Sequence, residues 1–132
     1  MSQLLAVGLG GFVGAVARYS ITELLARKYP GSFPVGTLVV NAAGCLLIGI
    51  LMAIVTHKQL HSSIRIHEHA SLFLISGFLG SLTTFSTFGH DTVSLLRNSE
   101  LNHAFLNISG NLIVGLIAVW VGWASVIFWL EK

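Results

Sequence analysis

Several residues in this chain have types and spacings that could handle an ion. The longest run is Gly77-Phe78-Leu79-Gly80-Ser81-Leu82-Thr83-Thr84-Phe85-Ser86-Thr87-Phe88, inside an otherwise apolar segment long enough to cross a membrane. Lipid offers the backbone no hydrogen-bond partner, so irregular backbone is tolerated at that depth only where protein covers it or it lines an aqueous cavity. Gly77, Gly80 and the Ser and Thr residues invite this helix to open, so a break near the middle of the span is expected. Phe85 and Phe88 follow at i, i+3 and share a helical face. Elsewhere, Thr37 and Asn41 form an i, i+4 pair, as do Asn107 and Asn111. Polar side chains at membrane depth are costly and usually face a bundle interior or a cavity. Thr37, Asn41, Asn107 and Asn111 could make one polar track across two helices. The competing reading is plain interhelical hydrogen bonding, worth about 0.6 kcal/mol on average and up to about 2 kcal/mol.

The groups on offer are amide NH2, hydroxyls and ring edges. Amides and hydroxyls donate, and ring edges are the positive end of the aromatic quadrupole. No Asp or Glu stands at the centre of an apolar segment, where a cation or proton path would place one. Arg18 adds positive charge near one mouth, unless it snorkels or pairs with Glu23. This chemistry suits a small anion that seeks donors.

The elements that must position these groups follow from composition. The chain is 54% hydrophobic and 9% charged, against about 25% charged in average proteins. That defines an all-α membrane protein, and residues 1–132 form a single four-helix transmembrane domain. A span needs roughly 20 apolar residues. The expected spans are Leu4–Leu25, Val35–Thr56, Ala70–Leu96 and Asn102–Leu130. Half of the charged residues, both prolines and most histidines fall in the connections Lys28–Pro34, His57–His69 and Arg97–Leu101. No cleaved signal peptide is expected, because the start lacks a basic region. A net charge of +2 is too small to argue for nucleic acid. The single Cys45 excludes an intramolecular disulfide and reads as a small packing residue.

Four spans put both termini and the loop after the second span on one side. Lys58, Arg65 and Lys132 lie there, and Arg27, Lys28 and Arg97 lie opposite, with Arg18 inside the first span. The positive-inside rule therefore gives almost no orientation signal. Either one or two loop residues decide the orientation, or the chain inserts both ways and pairs with its inverted twin. Four short helices can hardly seal a polar path from lipid, and a symmetric dimer is the commonest solution. Gly10, Gly11 and Gly14, Gly44 and Gly49, and Gly110, Gly115 and Gly122 read as close-packing positions.

Taken together, these residues resemble the Fluc (CrcB) family of fluoride channels over nearly the whole chain. The resemblance rests on Gly10-Gly11-x-x-Gly14 with Arg18 and Tyr19, and on Gly36-Thr37-Leu38-Val39-Val40-Asn41. It continues through Gly77-Phe78-Leu79-Gly80, Thr83-Thr84-Phe85-Ser86-Thr87-Phe88, Gly115-Leu116 and Ala118-Val119-Trp120. It implies an antiparallel, dual-topology homodimer in the lipid bilayer of the cell inner membrane. Two pores per dimer would export fluoride passively, after it has entered the cell as hydrofluoric acid. By the same resemblance Asn41 projects into the pore, Phe85 and Phe88 face fluoride, and Ser86 and Thr87 supply hydroxyls near the path. It also implies a structural Na+ on the dimer axis, held by backbone carbonyls that by position belong to Gly80 and Thr83. The chain departs from the pattern at Asn107, where a tyrosine is common, at Asn111, where a serine or similar polar group is common, and at Ser81, where many members have a second glycine. Asp91 fits an acidic position that often follows the motif.

Other classes fare worse. His90-Asp91 and nearby serines lack any recognisable catalytic spacing, so no enzyme is expected. His57, His61, His67 and His69 read as ordinary surface histidines rather than metal ligands. The alternative on architecture alone is a small dual-topology proton-coupled multidrug exporter. Such an exporter needs a membrane-buried carboxylate, and none is central in this sequence.

Overall fold

The structure, a computed structural model, describes residues 2–56 and 68–132. His57, His61 and His67 lie outside the described residues. In chain order the elements are α1 (Ser2–Lys28), α2 (Val35–Thr56), α3 (Glu68–Ser71), a π-helical segment (Leu72–Leu79), α4 (Gly80–Leu82), α5 (Phe85–Arg97) and α6 (Leu101–Leu130). Among the described residues, four helical stretches are long and apolar enough to cross a membrane: Ser2–Lys28, Val35–Thr56, His69–Arg97 and Leu101–Leu130. The shortest, with 22 residues, is about 33 Å long at about 1.5 Å per residue, enough for a hydrocarbon core of about 30 Å.

The helix ends follow local chemistry. Pro34 stands immediately before α2 and its carbonyl accepts from the Leu38 amide at 3.2 Å. Arg27 and Lys28 sit in the last turn of α1, and Arg97 in that of α5. There, positive charge offsets the exposed carbonyls. Past Arg97 the chain reverses through Ser99, in the left-handed region at φ 61°. The Glu100 amide bonds to Leu95 O at 2.9 Å and the Ser99 amide to Leu96 O at 3.1 Å. These two bonds make a Schellman closure.

Glycine grooves set the packing. A Cβ on Gly10 or Gly14 would run into the backbone carbonyls of Phe73 and Phe78, and one on Gly77 would lie 2.7 Å from Val7 O. Backbone therefore lies directly on backbone where α1 meets the π-helical segment. Gly49 and Gly122 do the same between α2 and α6, against the carbonyls of Val119 and Leu46. Such approach lets dispersion hold helices together where lipid removes the hydrophobic drive between them. The outside of the bundle is apolar, and among the described residues its interior mixes apolar and polar side chains. Asn107 and Val40 are the largest fully buried side chains, and Thr37, Thr84 and Thr92 are also buried. Leu4, Leu9, Phe12, Leu116 and Trp120 face outward.

Polar contacts mark the two ends of the bundle. At one, His69 Nε2 lies 2.8 Å from Ser2 Oγ. At the other, Ser32 from the α1–α2 connection meets Glu100 and His103 at the start of α6.

Candidate functional site

The site is built where the helix of the third span stops at Leu82 and restarts at Phe85. Thr83 has ψ 153°, and Thr84 is extended at φ −149°, ψ 109°. Three hydrogen bonds that an uninterrupted helix would make here are redirected. The Thr84 amide, which would reach Gly80 O, donates to Asn41 Oδ1 at 2.8 Å. The Thr87 amide, which would reach Thr83 O, donates to Thr84 Oγ1 at 3.1 Å, so Thr84 caps α5. Ser81 O, which would accept from the Phe85 amide, accepts from Arg18 Nε at 2.9 Å.

A chain of side-chain amides runs inward from this point. Asn41 Nδ2 donates to Asn111 Oδ1 at 2.9 Å and, more weakly, to Thr84 O at 3.3 Å. Asn111 Nδ2 donates to Asn107 O at 2.9 Å and to Asn107 Oδ1 at 3.0 Å. Asn107 Nδ2 donates to Thr92 Oγ1 at 2.9 Å, and Thr92 donates to Phe88 O at 2.8 Å. Thr84 also contacts Ser86 Oγ at 3.2 Å and donates to Thr87 Oγ1 at 3.0 Å.

Two cavities meet at Thr84. One, of about 420 Å³, is lined by Arg18, Thr22, Thr37, Thr84, Thr87 and Asp91, together with residues of the α1–α2 connection. The other, of about 440 Å³, is lined by Asn41, Gly80, Thr83, Thr84, Phe85, Phe88 and Asn111 among others. The Phe85 and Phe88 rings are tilted by 51° with centroids 5.4 Å apart. The first cavity thus carries charge and hydroxyls, the second aromatic rings and amides, with the Asn41–Thr84 bonds between them.

The structure divides the residues expected to form one track. Asn41, Asn111 and Asn107 are linked directly. Thr37 instead donates to Asp91 Oδ2 at 2.8 Å in the first cavity. Asn107 is fully buried and lines neither cavity, with its amide committed to Thr92 and both its oxygens to Asn111. Ser86 is exposed and also lies outside both cavities, whereas Thr87 lines the first. Arg18 does not pair with Glu23, whose Oε1 lies 2.9 Å from Arg27 Nη2. Gly80 and Thr83 line the second cavity. Sequence reasoning passed over Thr84, Thr92 and the Thr37–Asp91 bond. Only Thr84 had a readable signal: a threonine directly before a helical run is a preferred N-cap.

Fold and site together define a membrane-spanning helical bundle with a polar seam at the interruption in its third span. A family model described as CrcB-like protein, Camphor Resistance (CrcB), matches residues 5–123, and the chain belongs to that family. It is similar to proteins named fluoride-specific ion channel FluC. The relative from Dehalococcoides mccartyi is 38% identical over 92% of this chain and 90% of its own length. That from Hydrogenovibrio crunogenus is 43% identical over 91% and 87%, and that from Clostridium perfringens 44% over 89% and 88%. With four apolar spans in a chain of this family, the molecule is a multi-pass membrane protein.

Proposed function

We propose that this chain is one protomer of a fluoride channel that lets the anion leave the cell passively across the inner membrane. The observation that carries the reading is the Asn41–Thr84 junction between the two cavities. An anion arriving beside Arg18 would pass the hydroxyls of Thr37 and Thr87 and reach the ring edges of Phe85 and Phe88. A strongly hydrated ion needs successive donors to replace its water, and ring edges alone are weak partners. The names of the similar proteins supply the identity of the anion as fluoride.

The same reading calls for an inverted homodimer with two pores. Phe85, at the middle of the third span, is 82% exposed in the single chain, and Gly80 is exposed beside it. An antiparallel partner would cover this face, and the even division of Lys and Arg permits both orientations. A structural Na+ fits the residues at the break. The helical donors of Gly80 O and Thr83 O are engaged by Asn41 and by the Thr84 cap, which leaves these oxygens open to a hard cation. Among the described residues no group of three His, Cys, Asp or Glu side chains could serve instead. When bound, the ion would supply fixed positive charge between the carbonyls of the two protomers. Gly80 and Thr83 would hold it, while Asn41 and Thr84 keep those carbonyls from closing back into a helix.

The test is efflux from liposomes carrying the purified protein, with fluoride compared to chloride. Rapid release of fluoride with chloride retained is the expected result. Equal release of both ions, or release of neither, overturns the reading.

A further inference from the structure

We propose that Arg18 is a positioning residue whose Nε–H replaces the Phe85 amide at the Ser81 carbonyl and thereby steadies the interruption in the third span. In an uninterrupted helix each carbonyl accepts from the amide four residues on. Phe85 is the first residue of α5, where amides have no partner within their own helix, so Ser81 O at the preceding helix end needs a donor from elsewhere. Arg18 supplies it at 2.9 Å in a partly buried setting, from 63 positions away in the chain. The approach is built into α1. Gly10 and Gly14 seat that helix on the carbonyls of Phe73 and Phe78, and a Cβ on Gly11 would stand 3.2 Å from Ser81 Oγ.

The interruption is therefore braced from two helices. Asn41 on α2 takes the Thr84 amide that Gly80 O would otherwise receive, and Arg18 on α1 occupies Ser81 O. With Asn41 still holding the Thr84 amide, releasing Arg18 leaves Ser81 O without a donor at membrane depth, which is costly and loosens the turn. A role limited to raising the local anion concentration would depend on charge alone. A positioning role depends on an N–H at the right reach. Glutamine separates the two, because its amide nitrogen stands as many bonds from Cα as the arginine Nε and carries no charge.

Hydrogen exchange over residues 80–88, read by mass spectrometry on the purified protein, tests the proposal with Arg18→Gln and Arg18→Met. Loss of a hydrogen bond from a charged donor should speed exchange there by about tenfold or more in Arg18→Met, while Arg18→Gln stays within about twofold of the parent. The consequence for flux rests on the fluoride reading. There, Arg18→Gln should lose efflux chiefly at low fluoride and Arg18→Met at every concentration. Gln and Met variants that exchange alike, both slow or both fast, overturn the proposal. Should Arg18→Met fail to fold, Arg18→Gln decides alone, since tenfold faster exchange with the donor retained also overturns it. If the parent protein carries no fluoride, the exchange contrast still stands, so the positioning role and the channel reading fail separately.

Discussion

The side-chain oxygen of Asn41 accepts the Thr84 amide at 2.8 Å while its nitrogen donates to Asn111 Oδ1 at 2.9 Å. A single amide thus ties α2 to the start of α5 and to α6, and it needs one acceptor and one donor end to do so. Asn41→Asp keeps an acceptor for Thr84, removes the donor to Asn111 and adds negative charge beside the proposed anion path. Fluoride efflux from liposomes should fall at least about a hundredfold, equivalent to about 2.7 kcal/mol on the rate, in a protein that still forms the proposed dimer. Unchanged efflux would reduce Asn41 to a packing residue.

Thr84 sets the reach of α5 through its hydroxyl, which accepts the Thr87 amide at 3.1 Å. Thr84→Val matches the shape and lacks the cap. It should cost about 1 kcal/mol of stability, and Thr84→Ser should cost far less. Thermal unfolding in detergent measures both. Equal midpoints for the Val and Ser variants would show that the cap contributes nothing.

The spans were legible because charged residues gather toward their ends, and the structure keeps Val35–Thr56 and lengthens the other three. Helix α1 runs to Lys28 rather than Leu25, since Arg27 and Lys28 suit a helix C-terminus. The bonding of Asn111 to Asn107 was legible from i, i+4 spacing. The partner of Thr37 was not. Its hydroxyl shares a face with Asn41, yet it bonds to Asp91, 54 positions on, because of how α5 lies against α2. The same holds for Thr92, whose use by Asn107 depends on the fit of α5 to α6. The π-helical segment has the same composition as an α-helix. Within it Gly77 seats in the glycine groove of α1, a contact that hydropathy does not encode.

At one end of the bundle Glu100 accepts hydrogen bonds from His103 Nδ1, at 2.8 Å, and from Ser32 Oγ. First the His103 bond and then the Ser32 bond lower its pKa from the ordinary 4.5. A carboxylate with a lowered folded-state pKa adds stability above its unfolded value, and that stability is lost as pH falls through the folded value. The contact should therefore be intact above about pH 5 and weaken below the ordinary glutamate range. Thermal midpoints followed from pH 7 downward should drop more steeply for the parent than for Glu100→Gln, with the two curves converging in acid. Parallel curves would remove Glu100 from the acid response.

If Gly80 O and Thr83 O hold sodium, the response should track the cation and not a side chain. Replacing sodium thoroughly with a large organic cation should lower the thermal midpoint of the dimer and its fluoride efflux together, and returning sodium should restore both. The two carbonyls have lost their helical donors to Asn41 and Thr84, so Asn41→Ala should blunt this dependence by letting the helix re-form. Full stability and efflux without sodium would count against the site.

Phe85 and Phe88 line one cavity with Asn41 and Asn111, their rings 5.4 Å apart and tilted by 51°. Two explanations compete. Either the rings fill space at a dimer contact, or their edges face the anion. Bulk and edge chemistry separate on substitution, since isoleucine roughly preserves apolar volume and lacks the polarised edge. Phe85 is 82% exposed in the single chain, so Phe85→Ile should leave the fold of one protomer nearly untouched. Phe88 is half-buried, and its carbonyl accepts from Thr92, a bond that Phe88→Ile leaves in place. If the edges act on the ion, both variants should keep their dimer and thermal midpoint while losing fluoride efflux by about tenfold or more each, about 1.4 kcal/mol on the rate. If the rings only pack, efflux and stability should fall together, or efflux should persist at the parent rate. The ratio of lost efflux to lost stability in the two variants decides between them.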